Sequence, residues 1–262
     1  MMSRFIAIAN QKGGVGKTTT AVNLAASLAA RGQRVLLVDL DPQANATVGS
    51  GVDKNVSHSV YHMLIEAVSF DEVVRRSESG GFDVLPANRD LGGAEVELVE
   101  ASRREKRLKD ALLAVADRYD YVLVDCPPAL NLLTLNGLSL AHSVLIPMQC
   151  EYYALEGLSD LLGTLKKLRL GLNPSIEILG LLRTMFDARS TLSQQVSAQL
   201  EQHFPQRVFT TTIPRNVRLA EAPSHGLPVL AYDKRARGAV AYLALADELL
   251  AKFGANTQKE AS

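Results

Sequence analysis

A run near the N-terminus, Lys12-Gly13-Gly14-Val15-Gly16-Lys17-Thr18-Thr19, joins glycines to two lysines and two threonines. Glycines let a backbone fold around an anion with its N–H groups turned inward, and a helix that starts at the loop's end adds partial positive charge. Lys17 then reaches the β- and γ-phosphates of a nucleotide, and the Thr18 hydroxyl takes one position on Mg²⁺. Two carboxylates close apolar runs further on: Asp39 ends Val35–Asp39 and Asp125 ends Tyr121–Asp125. Buried acids rarely sit unpaired, so Asp125 is placed to hold Mg²⁺ through water. Asp41 lies just past the first of these runs, where a loop can present it to a γ-phosphate or an attacking water. Phosphoryl transfer to water is mainly positioning and stabilisation of spreading negative charge, and these residue types supply both.

Such residues need a frame. Short apolar runs rich in β-branched residues recur at Phe5–Asn10, Val35–Asp39, Phe82–Pro86, Tyr121–Asp125, Val144–Met148, Ile176–Thr184 and Val208–Ile213. Runs of this kind suit parallel strands covered on both faces. Helices are expected between them, at Thr18–Ala30, Lys106–Arg118 and Leu155–Leu170. In the last, Leu155, Leu158, Leu161, Leu162, Leu165 and Leu168 repeat at helical spacing and predict a core-facing stripe. The pattern predicts a three-layer α/β/α P-loop NTPase domain with a mostly parallel central sheet. It is read as a single domain over residues 1–262, with 253–262 a frayed tail.

The chain has 262 residues, with 28 Lys+Arg balancing 28 Asp+Glu. Zero net charge excludes a uniformly basic surface, so any nucleic-acid binding must come from a local patch. Two cysteines, Cys126 and Cys150, are too few for a disulfide scaffold and suit a reducing cytoplasm. Both read as small buried hydrophobes. The stretch from Cys126 to Cys150 lacks charged residues, but prolines and polar residues interrupt it. Loop, helix and strand explain it better than a membrane span. His58 and His62 stand at i, i+4 without a third ligand in sight, and read as surface residues.

The loop departs from the ordinary GxxxxGK[ST] pattern because position 12 is Lys. Lys12–Thr19 resembles the deviant Walker A box of the ParA/MinD ATPases. Val35-Leu36-Leu37-Val38-Asp39-Leu40-Asp41-Pro42-Gln43 resembles that group's switch segment, and Tyr121–Pro128 its Walker B strand. The blocks Cys150–Gly157 and Ile213–Gly226 are similar to the ParA/Soj branch in particular. The nitrogenase iron protein shares the loop, but its cysteine-bearing segments are not recognisable here. The resemblance runs from about Arg4 to about Phe253. It implies ATP and Mg²⁺ as ligands, ATP hydrolysis with Asp41 as the hydrolytic residue ahead of Asp39, and ATP-binding residues Lys12, Gly13, Gly14, Val15, Gly16, Lys17, Thr18 and Thr19. It also implies that Lys12 crosses a dimer interface to the other subunit's phosphates and acts there with Lys17. Pro214 and Asn216 match the segment that holds adenine.

Between Gln206 and Arg237 stand Arg207, Arg215, Arg218, Lys234, Arg235 and Arg237, opposed by Glu221 and Asp233, with Arg183 and Arg189 just upstream. A charge cluster alone is usually a solvated face. The ParA/Soj resemblance implies an ATP-dependent homodimer that binds DNA without sequence preference, Arg189 and Arg218 being the best-matched contacts. It further implies release through a ParB-type stimulating partner, and a cytoplasmic, nucleoid-associated protein. The alternative is a MinD-like membrane-associated ATPase of the division site. That needs a C-terminal amphipathic basic anchor, whereas Phe253–Ser262 is polar, so no stable membrane anchor is expected. With 11 residues ahead of Lys12, no helix-turn-helix is expected before the loop. A second basic cluster, Arg103 to Lys109, reads as an amphipathic helix face.

Overall fold

The computed structural model describes residues 3–152 and 154–260. Among these residues seven strands form one sheet: β1 (Arg4–Ile8), β2 (Val35–Asp39), β3 (Arg75–Ser77), β4 (Phe82–Leu85), β5 (Tyr121–Asp125), β6 (Ser143–Gln149) and β7 (Glu177–Thr184). Their spatial order is β3-β4-β2-β5-β1-β6-β7. Every pairing is parallel except β3 with β4.

Alternation along the strands divides the core into two layers. Phe5, Ala7, Leu36, Val38, Val122, Val124, Val144 and Ile146 face one side, where they pack with the helices Leu132–Leu140 and Ala154–Arg169. Ile6, Ile8, Val35, Leu37, Leu123 and Leu145 face the other, against Lys17–Ala29 and Arg237–Glu260. In the leucine stripe Leu158, Leu161, Leu165 and Leu168 are buried, with Leu155 and Leu162 partly buried beside them. The uncharged stretch from Cys126 to Cys150 is loop, helix and strand, as its sequence predicts, and both thiols are buried. Burial pushes both up from their ordinary range, Cys150 to about 11.

Four elements differ from the sequence reading. Val208–Ile213 is not a strand; one isolated bridge, Leu181 with Val208, lies at its start and another, Phe186 with Pro214, just past its end. Phe209 and Ile213 donate backbone N–H groups to Leu181 and Arg183 of β7, and side chains take up the groups between them. The Glu248 carboxylate accepts the N–H groups of Thr210 and Thr211, and the Arg183 guanidinium donates to the carbonyls of Phe209 and Thr210. The strand β3 has no counterpart in the sequence reading, because Arg75-Arg76-Ser77 has no apolar signal. The expected helix Lys106–Arg118 is shorter, Arg107–Leu113, followed by a 3₁₀ turn at Ala116–Arg118. The helix that begins at Arg237 runs on to Glu260, past Phe253 where a frayed tail is expected.

The parallel strands bring Ile8, Asp39, Asp125, Gln149 and Thr184 to one end of the sheet. There β1 pairs with β5 on one side and β6 on the other, and the chain's path reverses direction across the sheet. Open α/β sheets place ligands at this kind of crevice.

Candidate nucleotide site

The loop from Lys12 to Gly16 leaves β1 at this end and enters the helix Lys17–Ala29. Gly14 and Gly16 adopt left-handed backbone, φ 73° and 87°, which costs other residues but not glycine. Gly16 caps the helix without a side-chain hydrogen bond, so the first-turn N–H groups stay open toward the loop. Two side chains that the sequence reading misses brace the loop. Thr184 Oγ1 donates to the Val15 carbonyl at 2.7 Å, and Asn10 Oδ1 accepts the Lys12 N–H at 3.0 Å while its amide donates to Pro147. Asn10 stands next to the motif, where its type hints at a turn brace; Thr184 carries no sequence signal.

Lys17 is buried, and its ammonium donates to the Lys12 carbonyl at 3.1 Å. Burial pulls it below the ordinary lysine range, with Asp125 the strongest of the opposing charges. The Lys12 ammonium meets Glu151 Oε2 at 2.7 Å across a half-exposed contact, 39% and 50% exposed. The two lysines therefore do not face each other unpaired. Glu151 is a partner that the sequence reading does not single out.

Thr18 Oγ1 donates to Asp125 Oδ2 at 2.7 Å. Asp125 is fully buried and its Oδ1 has no hydrogen-bond partner among the described residues. Asp39, its register partner on β2, is also fully buried. Asp39 accepts from the Thr47 N–H and hydroxyl at 2.8 and 2.7 Å and from the Asp41 N–H at 3.1 Å. Burial raises Asp39 to about 6, more strongly than its hydrogen bonds lower it. Burial, then the Asp39 charge, raises Asp125 well above the usual carboxylate range. Asp41 is partly exposed, with Oδ1 accepting the Gln43 N–H at 3.0 Å. Asp39 thus anchors a turn, while Asp41 stands at its open side.

Pro214 and Asn216 line one cleft of about 180 Å³ with Gly16, Thr19 and Thr184. Asn216 Oδ1 is buried there and has no partner among the described residues. Of the basic candidates, Arg215 lines the same cleft, whereas Arg189 and Arg218 are not in its lining. Arg189 is 92% exposed and pairs with Asp187 at 3.0 Å. Arg218 pairs with Glu221 at 2.7 Å and Asp233 at 3.6 Å. Arg183 is buried against Ser197, Glu201 and the Phe209 carbonyl, a structural commitment that the charge count alone does not disclose. Arg215, Lys234, Arg235 and Arg237 are exposed, with no ion pair among the described residues. His62 takes no part in the site; its Nδ1 accepts the Ser59 N–H and caps a helix.

A cradle of open N–H groups, a lysine, a hydroxyl on a buried acid and a cleft beside them can hold a nucleotide with a divalent cation. A family model described as an AAA domain matches residues 3–178. The sporulation initiation inhibitor protein Soj of Bacillus subtilis is 53% identical, over 95% of this chain and 99% of its own. The chromosome partitioning protein ParA of Myxococcus xanthus is 51% identical, over 95% and 88%. A crystal structure described as cobyrinic acid a,c-diamide synthase from Mycobacterium smegmatis, with bound ADP and magnesium, superposes with a TM-score of 0.85 at 39% identity, over 97% of both chains. Fold and relatives together define the class, a P-loop ATPase. Within that class the chain belongs to the ParA/Soj family of chromosome-partitioning ATPases. Among the described residues, no helix is long and apolar enough to cross a membrane.

Proposed function

We propose that the chain is a single-domain ATPase of DNA segregation. It binds ATP with Mg²⁺, closes into a homodimer around two nucleotides, and binds DNA in that state without sequence preference. A ParB-type partner stimulates hydrolysis and so ends the bound state, in the cytoplasm and on the nucleoid. The observation that carries this reading is the contact of Thr18 with Asp125, whose second oxygen is buried and unpartnered. A raised, half-satisfied carboxylate beside a hydroxyl suits a hydrated cation better than any protein partner nearby.

In this reading Thr18 holds Mg²⁺ directly and Asp125 holds it through water, with Asp41 a possible further neighbour. When bound, the cation neutralises charge on the phosphate oxygens. The loop N–H groups of Gly13 to Thr19 cradle the phosphates, and Lys17 places its charge on them. Lys12 exchanges Glu151 for the phosphates held by the partner; an ion pair this exposed contributes about 0–1 kcal/mol, so the exchange costs little. Asp41 orients the attacking water. Pro214 and Asn216 hold the base, which would give Asn216 Oδ1 the donor it lacks. The relatives' names and the bound ADP and magnesium of the Mycobacterium structure support this assignment.

Light scattering with and without ATP, beside a nonspecific DNA shift, tests the reading. Wild type is expected to dimerise and bind DNA only with ATP, and Lys17→Ala to lose nucleotide binding and both later steps. Unchanged nucleotide affinity of Lys17→Ala by calorimetry would remove the P-loop assignment. ATP-dependent sedimentation with vesicles in place of DNA would move the chain to the membrane-associated class.

A further inference from the structure

The other end of the sheet carries a second concentration of hydrogen-bond donors, which the nucleotide site does not use. A cleft of about 660 Å³ opens there, lined in part by Arg4, His142, Glu177, Arg207 and Lys252. Arg4 and Glu177 are the first residues of β1 and β7, and Lys252 comes from the helix Arg237–Glu260. Packing against rings fixes two of the cations. The Arg4 guanidinium lies 4.8 Å over the Phe253 ring and the Lys252 ammonium 4.8 Å over Phe209.

Acceptors are scarce. Among the described residues Glu177 is the only carboxylate lining the cleft, and its contact with Arg207 is long, 4.0 Å, between exposed side chains. Both oxygens of nearby Glu248 already accept the Thr210 and Thr211 N–H groups. Arg207 donates to the Ile178 carbonyl and Lys252 to the Gln206 carbonyl at 3.3 Å, which leaves most of their N–H groups uncommitted. Burial and the Arg207 charge hold the Lys252 ammonium below its ordinary range, against Glu248. His142 Nδ1 accepts the Phe5 N–H at 3.2 Å, so the neutral ring carries its proton on Nε2 as a further donor.

We propose that this cleft binds a small, multiply charged phosphate-bearing metabolite. Guanidinium forks match phosphate oxygens bidentately, and an ammonium and an imidazole N–H complete the set. The volume lies in the ordinary range for small-molecule sites. A concave pocket on a chain of zero net charge suits a compact ligand better than an extended polyanion.

Calorimetry with inorganic triphosphate tests this directly. Wild type is expected to show two sites, the P-loop and the cleft, and Lys17→Ala to keep one. In the Lys17→Ala chain, Arg207→Ser should weaken the remaining site by about tenfold, the loss of one charge-assisted contact. Adding Arg4→Ser and Lys252→Ser should abolish it at millimolar ligand. The same three changes in the otherwise wild-type chain should preserve the melting transition and the P-loop site. If the triple variant does not fold, Arg207→Ser alone decides, since that side chain is half exposed. A Lys17→Ala chain that binds no triphosphate, or cleft variants that bind it unchanged, would overturn the proposal. So would duplex DNA that displaces triphosphate from the cleft at lower concentration than ATP does.

Discussion

Asp39 and Asp125 stand directly opposite each other across the β2–β5 ladder, both fully buried at the strands' C-terminal ends. Parallel register points both side chains to the same side of the sheet. Burial raises each; the Asp39 charge raises Asp125 further, and the Asp41 charge raises Asp39. Asp39 offsets part of this with three hydrogen bonds, but Asp125 has only the Thr18 hydroxyl and the nearby Lys17 charge. The ligand-free chain therefore keeps an unfavourable pair of acids that a cation relieves.

Both acids hold their protons to higher pH in the folded chain than the ordinary 3.8 of an unfolded aspartate, Asp39 up to about 6. Between those limits the folded state binds more protons, so this pair's contribution to ligand-free stability falls as pH rises through the window. Asp125→Asn removes one charge. It should raise ligand-free stability at pH 7 by on the order of 1–3 kcal/mol and flatten the fall between about pH 4 and 6. Binding of nucleotide with Mg²⁺ should weaken in the same variant. Urea unfolding at stepped pH reads the first effect, and a variant less stable than wild type at pH 7 would contradict it.

Gly13 has open space where a side chain would go, and its φ is not left-handed. Gly13→Val should therefore fold and bind ATP with a melting point within a few degrees of wild type, yet remain monomeric. The added isopropyl group obstructs only a second copy approaching the loop. ATP-dependent dimers of this variant by light scattering would count against the two-nucleotide interface.

Asp41→Ala should separate closure from chemistry. The Asp39 bonds to Thr47 remain, so the strand end stays anchored, and the variant is expected to bind ATP and dimerise with wild-type affinity. Partner-stimulated hydrolysis should fall by 10²-fold or more, the scale of a lost positioning or general-base group. A rate equal to wild type would pass the role to another residue.

Arg189→Glu with Arg218→Glu tests the DNA surface. Each lost phosphate contact lowers the slope of log affinity against log salt by about 0.9, and both protomers lose theirs. DNA shifts should vanish at moderate salt while ATP-driven dimerisation persists. Both arginines are ion-paired with acids, whereas Arg215, Lys234, Arg235 and Arg237 have no ion pair among the described residues. A double variant with unchanged salt slope would transfer the contacts to those four.

The sheet and the loop were legible because their signals are local: apolar runs, glycines, and a lysine–threonine pair at a strand-to-helix junction. Asp125 was legible as the end of such a run. Val208–Ile213 misled because apolar, β-branched composition reports burial, and Phe209 and Ile213 are indeed buried, without reporting what bonds the backbone. Arg183 was invisible as a structural cation because its partners, Ser197, Glu201 and the Phe209 carbonyl, converge only in three dimensions. Glu151 and Thr184 escaped for the same reason. Each meets the loop from more than a hundred residues away.

The two borders of the sheet have a consequence for how copies can gather. One border is β3, three residues long, with Arg75 and Arg76 in it. At the other, outward backbone groups of β7 are taken up: Leu181 donates to the Arg207 carbonyl and accepts from the Phe209 N–H, and the Arg183 carbonyl accepts from Ile213. Charged, short or occupied borders resist strand-to-strand joining of neighbouring molecules. The chain can thus be crowded without a built-in route to irreversible fibres, and whatever copies assemble must meet through side-chain surfaces that can part again.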